Sequence, residues 1–167
     1  MDDAGMDFFG DSFRELGNLL PQDGTVHYHG VIIPPRRADR YRDVLCDEIA
    51  WQHDETVMFG KRIVTARQVA WYADAPLTYT YSGVTRTAQG WTDALRALKD
   101  LVEQHSGETF NACLLNLYRD GSEGMGWHSD DERDLARNSA IASLSLGAER
   151  RFAFRHRRSK ETRTLQL

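Results

Sequence analysis

Thr109-Phe110-Asn111-Ala112-Cys113-Leu114-Leu115-Asn116-Leu117-Tyr118 is the stretch on which the fold turns. It carries no glycine or proline, has the length of a strand, and is followed at once by the turn signal Asp120-Gly121. Strand parity puts Leu114, Asn116 and Tyr118 on one face, so an amide and a phenol point the same way beside an apolar residue. Such a face is amphiphilic rather than simply core. Further strands are predicted at Val26 to Ile33, Leu77 to Ser82, Ala140 to Leu146, Arg151 to His156 and Thr162 to Leu167. Two helices come early. Ala38, Tyr41, Leu45 and Ile49, and later Trp91, Leu95, Leu98 and Val102, recur at three- and four-residue spacing with charges between them. Short strands joined by tight turns, with helices on one side, give an α+β class: an antiparallel roll backed by two N-terminal helices.

The 167 residues suit one domain with a core of its own. Residues 1–24, acidic and glycine-containing, are expected to form a flexible arm, leaving 25–167 as the domain. Hydrophobic residues at 41% with charged residues at 28% exclude both a disordered and a membrane-spanning chain, so no membrane partner is expected. A net charge of -4 means that a nucleic-acid partner must be held by a local basic patch. Cys46 and Cys113 lack CxxC spacing and are expected to be reduced, buried thiols. Asp2, Asp3 and Asp7 at the N-terminus do not form a signal peptide, which leads to a cytoplasmic expectation.

The glycine-rich run Asp120 to Gly126 delivers Trp127-His128-Ser129-Asp130-Asp131-Glu132. An imidazole and a carboxylate two residues apart on extended backbone can reach one metal ion, and His-x-Asp is the local half of a facial triad of two histidines and one carboxylate. Alone this spacing is weak evidence, because chance pairs are common.

Its surroundings are Asn116-Leu117-Tyr118-Arg119-Asp120-Gly121 before it and Ser139-Ala140-Ile141-Ala142-Ser143-Leu144-Ser145-Leu146-Gly147 after it. Together with Tyr72-Ala73-Asp74-Ala75-Pro76-Leu77-Thr78-Tyr79-Thr80-Tyr81-Ser82-Gly83 and Phe152-Ala153-Phe154-Arg155-His156, this resembles the AlkB family of Fe(II)- and 2-oxoglutarate-dependent dioxygenases, above all the branch that repairs alkylated duplex DNA. The resemblance runs from about Val26 to Leu167. It implies a jelly roll (a double-stranded β-helix) in which His128 and Asp130 bind Fe(II), while Asn116 and Tyr118, next to Leu114, hold 2-oxoglutarate. Oxidative decarboxylation of that co-substrate with O2 would drive hydroxylation of an N-methyl group, which leaves as formaldehyde. A base such as 1-methyladenine or 3-methylcytosine is cationic, and an aromatic face with a carboxylate favours a cation. The resemblance implies that Tyr81 stacks on the flipped base, that Tyr79 with Asp131 or Glu132 reads its edge, and that Ser82 belongs to the same lid. It also makes Phe59, within Val57-Met58-Phe59-Gly60-Lys61-Arg62, a wedge on a hairpin finger filling the vacated stack, and sets Lys61 or Arg62, with Arg67, against the DNA backbone. The expected partner is alkylated DNA, with RNA left open, and the expected state is a monomer.

Blander readings stand beside these. Asp131 and Glu132 also read as solvated loop charges paired with Arg133, Tyr79 and Tyr81 as ordinary strand aromatics, and Phe59 as a core residue. The cluster Arg150, Arg151, Arg155, Arg157, Arg158, Lys160 and Arg163 is a phosphate track or a wet strand face. His27 and His29 have no nearby carboxylate motif. The family's second histidine ligand and its two C-terminal arginines do not occur before Leu167, and His156 matches a position that is not a ligand. The chain is therefore expected to be a C-terminally truncated, inactive fragment with an incomplete roll. Two rivals remain, a non-catalytic nucleic-acid-binding homologue and a metal hydrolase that needs no 2-oxoglutarate.

Overall fold

The computed structural model describes residues 17–58, 61–81, 84–130 and 136–167. Helix α1 (Pro35–Glu48) opens on a proline whose missing N–H costs nothing in a first turn, while the Pro34 carbonyl accepts from the N–H groups of Arg37 and Ala38. Helix α2 (Asp93–Ser106) is capped at both ends. Leu95 N–H donates to Thr92 Oγ1, Asp93 and His105 complement the helix dipole, and Gly107 at φ 73° closes the C-terminus with an N–H bond to the Glu103 carbonyl. Leu45 in α1, Ile49 just beyond it, and Leu95 and Leu98 in α2 are buried, which matches the predicted stripes.

The larger sheet has the order β1-β2-β5. Strand β1 (Gln52–Met58) pairs antiparallel with the long β2 (Lys61–Ala73), which pairs antiparallel with β5 (Ala112–Leu117). The central strand supplies the three most buried of the described residues, Tyr72, Ala73 and Val69, with Ala70 buried beside them. The Tyr72 phenol oxygen accepts the Ala50 N–H at 3.4 Å, which ties β2 to the segment just after α1. The β1–β2 ladder breaks between His53 and Glu55, a bulge that sets Asp54 opposite the turn of backbone carrying Thr65 and Arg67. Strands β3 (Thr78–Tyr81) and β4 (Val84–Thr87) form one separate pair, and β6 (Arg151–Arg155) and β7 (Thr162–Gln166) form another.

The chain divides into two compact units, Met1–Ala38 with Gly147–Leu167, and Asp39–Leu146. Within the first, the β6–β7 hairpin is fastened to the preceding segment by His156, whose Nε2 lies 3.1 Å from Asp23 Oδ2. Ser159 N–H donates to His156 Nδ1 at 3.0 Å, so this imidazole serves as a turn brace.

Antiparallel pairing and two helices agree with the α+β class. Three expectations need correction. Val26 to Ile33 joins no ladder, because Gly30 at φ 68° breaks the extension a strand requires. Ala140 to Leu146 is likewise not a strand, and Ile141 stands 61% exposed with no ladder to pair its backbone among the described residues. Cys46 is exposed, since it follows the buried Leu45 by one helical step onto the wet face of α1. Among the described residues no helix is long and apolar enough to cross a membrane.

Candidate active site

Strand β5 keeps the predicted parity. Leu114 and Asn116 are exposed while Leu115 and Leu117 are half-buried. Across the ladder Trp71 sits opposite Leu114 and Val69 opposite Asn116, so the amide projects from a largely apolar sheet face. Tyr118 follows just beyond the strand end and is half-buried. A cleft of about 230 Å³ opens beside this face, lined by Gln52, Val69, Trp71, Thr87, Gln89 and Leu114. It includes neither His128 nor Asp130.

The loop after β5 is built by its own polar groups. Asp120 Oδ1 accepts from the N–H and hydroxyl of Ser122, Glu123 Oε2 accepts from Arg119 N–H, and the Arg119 guanidinium donates to Gln68 Oε1 at 2.8 Å. His128 and Asp130 stand at its far end, both about half exposed. His128 Nδ1–H donates to the Gly126 carbonyl at 2.9 Å. A carbonyl can only accept, so in the neutral ring Nδ1 carries the proton and Nε2 keeps its lone pair. Nε2 lies 3.5 Å from Asp130 Oδ1.

These two residues fit a divalent cation. Nitrogen and oxygen ligands each about 2.0–2.2 Å from one ion stand roughly 3–3.5 Å apart, and a ligating imidazole usually donates its other N–H to a carbonyl or carboxylate. Both conditions hold here. Among the described residues no group of three or more His, Cys, Asp or Glu side chains gathers around one point.

The remaining expected residues divide. His27 and His29 are exposed and join no metal-binding group among the described residues. Tyr79 and Tyr81 belong to β3, whereas Phe59, Ser82, Asp131 and Glu132 lie outside the described residues. The last described pair of the β1–β2 hairpin is Met58 with Lys61. Arg67, expected on the DNA backbone, has internal partners instead. It is 9% exposed, ion-paired with Asp54, and its Nη1–H donates to Met125 Sδ at 2.9 Å. The buried Asp54 that holds it was missed. An acidic residue inside a strand is the available signal, but only the bulge turns it inward.

A family model described as the 2OG-Fe(II) oxygenase superfamily matches residues 24–167. The chain is 48% identical over 106 residues to the DNA oxidative demethylase ALKBH2 of Mus musculus, covering 64% of this chain and 44% of that protein. It is 40% identical over 121 residues to the alpha-ketoglutarate-dependent dioxygenase alkB homolog 3 of Homo sapiens, covering 72% and 42% respectively. A plant relative, the DNA oxidative demethylase ALKBH2 of Arabidopsis thaliana, is 31% identical over 134 residues, covering 78% of this chain and 43% of its own. The chain thus spans less than half the length of these relatives. The match over residues 24–167 shows that the chain belongs to the 2OG-Fe(II) oxygenase superfamily, in which it resembles the AlkB-type DNA-repair branch.

Proposed function

We propose that the protein removes methyl groups from the ring nitrogens of bases in alkylated DNA, as an Fe(II)- and 2-oxoglutarate-dependent dioxygenase. The observation that carries this reading is the His128–Asp130 pair, with Nε2 freed toward the carboxylate by the Nδ1–H bond to Gly126. His128 and Asp130 would hold Fe(II). The bound metal, with 2-oxoglutarate and O2, would supply oxidation of the N-methyl carbon, which leaves as formaldehyde. Asn116, exposed beside Leu114 on the β5 face, and Tyr118 would hydrogen-bond the co-substrate. A jelly roll closed around that face is the architecture this reading requires.

The base-reading roles rest on the family resemblance and on the relatives' names. Tyr81 and Tyr79 would supply aromatic faces, Ser82 the adjoining lid, and Asp131 or Glu132 the anion that a cationic methylated base prefers over its neutral parent. Phe59 would fill the stack emptied by flipping. The exposed arginines and Lys160 of the β6–β7 hairpin would track phosphate, locally overriding the net charge of -4.

The test is formaldehyde release from a 1-methyladenine oligonucleotide, with and without Fe(II) and 2-oxoglutarate, in the intact protein. Release dependent on both supports the proposal. Tight DNA binding with no release would instead make it a non-catalytic binding module, and metal-dependent turnover without 2-oxoglutarate a hydrolase.

A further inference from the structure

The polar bonds that build the loop before His128 join Arg119 to Glu123 and Ser122 to Asp120, and Met125 lies just beyond them. Met125 is flanked by Gly124 and Gly126, and a Cβ added at either glycine would meet open space. Neither glycine is needed for fit, and each makes the backbone beside Met125 intrinsically less restricted than a larger residue would. Met125 itself is half exposed, yet its sulfur receives the Arg67 Nη1–H at 2.9 Å across 58 residues of sequence. Arg67 is fixed in turn. Its other terminal nitrogen pairs with Asp54, both residues are less than a tenth exposed, and the β1–β2 bulge turns Asp54 toward it. Thr65 Oγ1 bonds the Arg67 carbonyl, and His53 Nδ1–H donates to the Thr65 carbonyl, so the backbone on either side is pinned as well. A guanidinium presents several donors in one rigid plane and can serve a carboxylate and a sulfur together.

We propose that Arg67 is a positioning residue: anchored by Asp54, it seats Met125 and so fixes the Gly124–Gly126 segment, whose Gly126 carbonyl orients the His128 imidazole. The continuous line is Asp54 carboxylate, Arg67 guanidinium, Met125 sulfur, Gly126 carbonyl, His128 Nδ1–H. Its consequence for metal binding rests on the reading of His128 and Asp130 given above. The seating of the loop does not.

Met125→Leu removes the sulfur acceptor at nearly constant volume and leaves the buried ion pair whole, so the fold should survive. In the intact protein, amide hydrogen exchange across residues 119–128 should rise by about tenfold, with the melting temperature within a few degrees of wild type. Affinity for Mn(II), the oxygen-stable probe, should fall by about 10–100-fold, the usual cost of losing a partner that orients a ligand. Asp54→Asn should do the same and also destabilise the fold by leaving a buried guanidinium without its counter-ion. Wild-type exchange or wild-type Mn(II) affinity in Met125→Leu overturns the proposal. His128→Ala separates the two readings. Retained Mn(II) binding there overturns the metal assignment, and the exchange measurement alone then decides whether Arg67 seats the loop.

Discussion

His128 Nε2 lies 3.5 Å from Asp130 Oδ1, and only one residue separates them in the chain. Because the other ring nitrogen is committed to Gly126, the pair cannot exchange roles with the loop backbone without turning the imidazole over. Each side chain is about half exposed, so an ion between them would have water to exchange for substrate. His128→Ala and Asp130→Ala should each lower demethylation by at least about a hundredfold in the intact protein, while DNA affinity changes by less than about threefold. Substantial turnover by either variant would remove these residues from the metal site.

The two thiols should differ sharply. Burial pushes the Cys113 thiol up to about 11, because a thiolate there would lose its water, whereas Cys46 sits exposed on α1. At pH 8, roughly one Cys113 in a thousand would be ionised. Titration with a thiol reagent at that pH should show one fast equivalent, lost in Cys46→Ser, and a second only after unfolding. Two equally fast thiols would mean that β5 opens readily in the native protein.

How much of this was legible beforehand depended on whether a residue's role was local. Leu45 and Ile49, or Leu95 and Leu98, declare themselves by helical spacing, and Leu114 with Asn116 by strand parity, since each needs only its own element's geometry. His-x-Asp is similarly compact. Strand β2 was not foreseen because Thr65, Arg67 and Gln68 interrupt its apolar pattern, and their partners come from elsewhere: Asp54 across the bulge, Met125 in a distant loop, Arg119 beyond β5. The opposite failure is Val26 to Ile33, where strand-like composition meets the left-handed Gly30. Pattern reports preference, whereas pairing requires a neighbour.

Asp74 offers a pH test of what secures α2. Its carboxyl is held below the ordinary range, first by the Trp91 Nε1–H bond at 2.8 Å and then by Lys99, which also lies 5.3 Å from the centre of the Trp91 ring. A depressed folded value means that the contribution is fully present above the unfolded value, near 3.8, and is lost as pH falls through the folded one. Asp74→Asn should therefore melt slightly earlier than wild type at pH 7, by an amount that shrinks with added salt and disappears well below pH 3.8. The effect will be small because the carboxylate is exposed. A difference that persists unchanged in acid would trace to the amide's fit rather than to charge.

The β6–β7 hairpin decides whether its basic residues meet phosphate or only water. Arg158 and Lys160 are exposed in the connection that His156 braces, and Lys160 has φ 62°, a conformation that asparagine adopts more readily than alanine. Arg158→Ala with Lys160→Asn should therefore remove two charges without disturbing the turn. If both residues neutralise phosphates, the slope of log affinity against log salt should become shallower by about 1.8 on duplex DNA, since each contact releases about 0.9 of a counterion. The weakening should be the same for methylated and unmethylated duplexes, because phosphate contacts carry no information about the lesion. Turnover of a saturating substrate should stay within about twofold of wild type, as neither residue belongs to the metal or co-substrate site. An unchanged salt slope would leave this hairpin as a solvated strand pair and move the search for the DNA track to Lys61 and Arg62 on β2.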